Sequence, residues 1–159
     1  MRQRIEGHGT RHHVMPQKNY CFGCGKDNPE GLRLKFHFDE ERRVATCRFR
    51  LSRRFWGPPR HAHGGIIATI LDEAMGKVNK LRHVVAVTST MEVRYHRMVP
   101  LGEPLVVEGW ERRVRGREHI NVAEIRNQAG EVLASSKGKF IAVDPVRMFA
   151  RFLREQEKK

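Results

Sequence analysis

The segment HAHGGIIATILDEAMG, residues 61–76, restricts the possible folds more than any other part of the chain. Gly64 and Gly65 precede a proline-free run. In it Ile66, Ile67, Ile70, Leu71, Ala74, Met75 and Val78 recur at the spacing of one helical face. A stripe that apolar must be covered, so the helix belongs in a core. Gly65, Ala68, Thr69, Asp72 and Gly76 fall on a second face. All but Asp72 are small or uncharged, so a backbone or a ligand can come close there. Asp72 is therefore not on the ordinary solvated side.

The start of this helix has chemistry of its own. Its first N–H groups lack intrahelical partners, and the helix dipole makes that end electropositive. Glycine leaves those donors open to a carbonyl oxygen or an anion. Asp72 follows Gly65 by seven residues, about 10 Å along the axis, too far for both to serve one small reacting group. An antiparallel second copy of the helix would bring its own Asp72 beside the first chain's Gly65. Two-fold homodimers are common, so a site shared between two chains is the expectation. The plain alternative is a core helix with a glycine-rich start and a solvated Asp72–Glu73 pair. Glu73 itself is read as a surface residue on the Lys77 side.

Around the helix, residues 32–38 alternate Leu32, Leu34, Phe36 and Phe38 against Arg33, Lys35 and His37, the pattern of a half-buried strand. Residues 44–51 alternate in the same way and predict its hairpin partner, with Cys47 as a small core residue. Residues 84–95, 105–114, 120–127 and 132–143 read as four more strands, with Gly116 and Gly130 in connecting turns. Asp144 and Pro145 open a final helix whose apolar residues are Val146, Met148, Phe149 and Phe152. One long helix among hairpin-linked strands predicts an α+β domain, an antiparallel sheet wrapped round the helix. Neither the Walker nor the dinucleotide fingerprint is present.

Cys21 and Cys24 form a C-x-x-C. A structural zinc site usually takes four ligands, and no second pair exists. The segment reads instead as a compact turn, with Gly23, Gly25, Asn28, Pro29 and Gly31 supplying its dihedrals. No metal is expected.

The net charge of +13 favours an anionic partner. The arginines are scattered, however, as a solvated surface is, and neither a nucleic acid nor a membrane is expected. Three cysteines suit a reducing compartment. No stretch approaches membrane length and MRQRIEGHGTRHHV lacks an apolar export core, so a cytoplasmic protein is expected. The organisation expected is a flexible arm over 1–19, one domain over 20–144, and a helix with a charged tail over 145–159.

Three segments, CFGCGKDNPEGLRLKF, FWGPPRHAHGGIIATILDEAMG and VTSTMEVRYHRMVPLGEPL, together resemble the hotdog-fold acyl-CoA thioesterases, in particular the phenylacetic-acid-pathway group. The resemblance spans roughly residues 20–143. It implies that Asp72 is the catalytic acid and that the Gly65 N–H polarises the thioester carbonyl. Thr88 falls where relatives carry a residue that places the water, and His63 matches the histidine before the glycine pair. Gly64, Arg60, Ser89 and Thr90 are the expected substrate-binding residues. The group is dimeric or tetrameric, so a homodimer or dimer of dimers is expected. Acyl-CoA is the implied substrate, and no cofactor is needed beyond the coenzyme A it contains. Two positions depart from the group: Arg60 where many relatives have glycine, and Gly57 where some have asparagine.

The reaction implied is thioester hydrolysis, with Asp72 as general base or as nucleophile. The competing readings are a hotdog dehydratase, whose catalytic His near a Phe-Pro pair is missing, and a non-catalytic acyl-CoA-binding or regulatory hotdog protein.

Overall fold

A computed structural model describes residues 18–148 and 150. Residues 1–17 of the expected arm, with His12 and His13, lie outside them, as do Phe149, Phe152 and the terminal tail. The elements are β1 (His37–Asp39), β2 (Val44–Phe49), α1 (Gly64–Val78), β3 (Ala86–Tyr95), β4 (Leu105–Arg115), β5 (Glu118–Arg126) and β6 (Val132–Ala142). A final helix begins at Pro145. The six strands form one sheet in the order β1-β2-β4-β5-β6-β3, and every neighbouring pair is antiparallel. This is the α+β hotdog architecture, with α1 held against one face of the sheet.

The apolar stripe of α1 does what its period predicts. Ile67, Ile70, Leu71, Ala74, Met75 and Val78 are buried. Ile70, Leu71 and Met75 have no solvent-accessible surface, and each contributes on the order of 2 kcal/mol by leaving water. The sheet comes close enough to touch backbone. A Cβ on Gly109 of β4 would lie 2.6 Å from the Ala74 carbonyl oxygen, so only glycine lets the strand pass beneath the helix. At the helix end, buried Asn121 of β5 donates through Nδ2 to Met75 O and to Asn79 Oδ1, both at 2.9 Å. From Asn79 to Arg82 the helix tightens into a 3-10 turn, which closes at His83 in the left-handed region, φ 54°.

Cys47 is buried in the core, as the alternation of β2 predicts. Gly116 and Gly130 have positive φ in the turns before β5 and β6. The expected strand over 32–38 is a correction. Only His37–Asp39 is paired. Leu34 is buried and Leu32 and Phe36 are packed against the core, but Phe38 is 42% exposed. Two amides of this stretch are used elsewhere: Leu32 N donates to Phe22 O at 2.8 Å and Leu34 N to Gly23 O at 2.9 Å. Arg33, at φ 52°, breaks the extended line between them. Alternating burial thus survives without a strand, because a packed turn replaces the ladder.

Candidate active site

The site is built on the half-exposed face of α1, where it meets β3. Asp72 lies on that face with its carboxylate partly buried, and Thr88 of β3 donates from Oγ1 to Asp72 Oδ1 at 2.8 Å. Burial pushes the Asp72 carboxyl above the usual carboxylate range. The Thr88 hydrogen bond pulls the other way, and the charge of Glu73 adds to the rise. A carboxylate whose affinity for protons is raised, on a surface that a ligand can reach, is suited to accept a proton from water.

A β-bulge sets which way Thr88 faces. The β3–β6 register slips between Thr88 and Thr90. Thr88 touches Asp72, while the Tyr95 hydroxyl donates to Gly64 O at 3.0 Å, so both side chains face α1. They are seven positions apart, and an unbroken strand would point them to opposite sides. The bulge at Ser89 resets the phase. Ser89 and Thr90 are themselves exposed beside it.

At the head of α1, His63 is the N-cap. Its Nδ1 accepts from the Gly65 N–H at 3.0 Å. The amide singled out for a substrate carbonyl is therefore held by the capping ring, and Gly65 itself is exposed. Thr69 returns a hydrogen bond to Gly65 O at 2.9 Å. Within one chain, then, Asp72 with Thr88 forms one group and Gly64, Gly65, His63 and Tyr95 form another, a turn and more away along the helix.

Arg60 has φ 65°, in the left-handed region that favours glycine. That gives a backbone reason to expect glycine at this position. Arg60 joins Arg53, Trp56, Leu51 and Leu101 around a cavity of about 350 Å³ next to the helix start.

Tyr95 is not among the expected site residues, because alternation places it on the apolar face of β3 without marking its hydroxyl, and the expectation for Glu73 is corrected. Glu73 is not a surface residue; its side chain is 18% exposed and paired with Lys77 at 2.8 Å. It faces the C-x-x-C turn, where the Cys21 thiol lies 3.8 Å from Glu73 Oε2 and Lys77 Nζ lies 2.9 Å from Cys24 Sγ. Burial alone would push Glu73 up, but hydrogen bonds from Cys24 and Lys77, together with the ammonium charge, hold it below the usual range.

Comparison with known proteins matches this architecture. The family described as the thioesterase superfamily matches over residues 60–134, which contain Gly65, Asp72 and Thr88. The acyl-coenzyme A thioesterase THEM4 of Xenopus laevis is 29% identical over 98 residues, 62% of this chain and 44% of that protein. The chain thus spans less than half the length of that curated relative. The crystal structure of RHA08564, a thioesterase superfamily protein, superposes with a TM-score of 0.74 at 29% identity, over 77% of this chain and 60% of that one. A Streptococcus mutans protein, smu.793, solved bound to acetyl CoA, shares the fold with a TM-score of 0.64 at 19% identity, over 69% of this chain and 88% of that one. Its helix-on-sheet architecture and this matched segment make the chain similar to the thioesterase superfamily.

Proposed function

We propose that the chain hydrolyses acyl-CoA thioesters, with Asp72 as the group that activates water or attacks directly. The observation that carries this reading is the Asp72 carboxylate, half-buried, raised in proton affinity and oriented by Thr88 at 2.8 Å. The acyl-coenzyme A thioesterase named among its relatives and the acetyl-CoA-bound fold neighbour support the substrate class. The net charge of +13 suits the phosphates of coenzyme A.

In the reaction, Thr88 gives its proton to the hydrogen bond with Asp72 and keeps its lone pairs for a water. Asp72 takes a proton from that water as oxygen attacks the thioester carbon. The carbonyl oxygen becomes an oxyanion at the electropositive head of α1, where the Gly65 N–H stabilises it once the substrate displaces the His63 ring. Collapse expels the coenzyme A thiolate, which recovers the proton from Asp72, leaving a free acid and a free thiol. In the nucleophilic version Asp72 forms a mixed anhydride first. Hydroxylamine added during turnover separates the two, because only the anhydride traps Asp72 as its hydroxamate.

The two halves of the site stand about 10 Å apart along one helix. A two-fold pairing that sets Gly65 of one protomer beside Asp72 of the other completes it. Among the described residues β3 ends the sheet, with β6 its only neighbouring strand, and borders the Asp72 face. It is the natural edge for such a pairing.

The experiment is thiol release from a panel of aromatic, short-chain and medium-chain acyl-CoA esters, with Asp72→Asn beside the parent chain. Turnover should fall by roughly 10²–10³ or more, with the fold intact by circular dichroism. Equal turnover in the variant removes Asp72 from the chemistry. One observation favours a second reading, an acyl-CoA-binding protein without turnover: the Gly65 amide is already taken by His63. That reading requires tight acyl-CoA binding with no thiol released from any ester of the panel.

A further inference from the structure

The cluster on the other flank of Asp72 supplies no reacting group to the hydrolysis proposed above; Glu73 touches it only through its charge on Asp72. We infer that Cys21, Cys24 and Glu73 form a binding site for a thiophilic divalent cation, zinc(II), which clamps the turn over residues 19–34 onto α1.

Three potential ligand atoms, Cys21 Sγ, Cys24 Sγ and a Glu73 carboxylate oxygen, all lie within 4.8 Å of one another. A tetrahedral zinc with Zn–S of about 2.3 Å and Zn–O of about 2.1 Å sets sulfur and oxygen about 3.6 Å apart. Cys21 Sγ and Glu73 Oε2 are separated by 3.8 Å. Soft thiolates with one carboxylate suit zinc better than magnesium or calcium, which prefer all-oxygen shells.

The turn is shaped to admit the carboxylate. Gly25 N donates to Cys21 O at 2.8 Å, closing the C-x-x-C into one tight loop. Between the cysteines, a Cβ on Gly23 would sit 2.5 Å from Glu73 Oε2. Any side chain there would push the carboxylate out of the cluster. A Glu73–Lys77 ion pair alone needs neither that glycine nor two thiols facing one carboxylate.

Charge also balances. Two thiolates, a carboxylate and a dication sum to −1, and Lys77 supplies +1. Lys77 Nζ reaches Cys24 Sγ at 2.9 Å and Glu73 Oε1 at 2.8 Å, a donor to two ligands at once. Cys21 is exposed, so the fourth ligand comes from solvent and the ion can exchange.

The test uses the full chain, without an affinity tag, stripped with a chelator and titrated with zinc(II) or cobalt(II). About one equivalent of zinc per chain by elemental analysis is expected. Cobalt should give the intense visible bands of a tetrahedral site and near-ultraviolet thiolate charge transfer. Zinc should raise the melting temperature of the stripped protein. Cys21→Ser with Cys24→Ser should lose all three signals, and Cys47→Ala should keep them. Glu73→Gln should weaken binding at least about tenfold while keeping the charge-transfer band. Three results overturn the proposal: no cobalt spectrum in the reduced parent chain, metal retained by the double cysteine variant, or a Cys21–Cys24 disulfide in place of bound metal.

Discussion

At the residue scale, Asp72 has two opposed roles. Its folded-state pKa is raised, so the neutral form is the one folding favours. Stability from such a group is complete below the unfolded value of 3.8 and is lost as pH rises through the folded value. Asp72→Asn should therefore melt higher than the parent chain at pH 7, and the gap should close near pH 4. Melting curves at the two pH values check this, and a gap that widens in acid contradicts it. A stabilised, inactive variant is what a site that gives up stability for reactivity produces. Arg60 is a second residue out of its preferred state. Its φ of 65° costs roughly 1 kcal/mol in a residue with a Cβ. Arg60→Gly should raise the unfolding free energy in urea by up to that amount. The same variant should raise KM for acyl-CoA if the Arg60 side chain meets a phosphate, and leave it unchanged if only the backbone counts.

At the scale of elements, α1 and β3 make the site together. The bulge in β3 lets Thr88 and Tyr95 face the same helix, and Thr88→Val should lower turnover about tenfold, the worth of one hydrogen bond to a charged group. Thr88→Ser should restore most of it; equal loss in both variants would mean that packing, not the hydroxyl, matters. The far end of α1 depends on Asn121, which donates to the Met75 carbonyl and the Asn79 side-chain oxygen from inside the core. Asn121→Ala strands those groups away from water and should cost about 1–3 kcal/mol in urea unfolding. Leu32, Leu34 and Phe36 teach a related lesson: alternation predicted which of them turn inward, while the hydrogen bonds went to the turn at Phe22 and Gly23.

At the scale of the whole molecule, the prediction is a dimer whose sites need both chains. Mixing Asp72→Asn chains with Gly65→Pro chains, which lack the amide donor, tests it without further structure. In a random mixture half the dimers are mixed, and each of these keeps one intact site of two. Activity should recover to about a quarter of the parent value after exchange of subunits. Recovery of nothing places both groups in one chain. Proline is tolerated in the first helical turn, so the second variant should fold. Among the described residues no helix is long and apolar enough to cross a membrane.

The sequence by itself determined the core helix, its apolar and small-residue faces, most of the strands, and the seven-residue step from Gly65 to Asp72. These follow from periodicity, because which side of an element is buried is written locally every two or three to four residues. Only the tertiary structure decided that Thr88 faces Asp72 across a bulge, that His63 holds the Gly65 amide, and that Glu73 turns to two cysteines some fifty residues earlier. Those are contacts between elements. They depend on register, on backbone phase and on how closely glycines let two segments approach, and no local pattern records them.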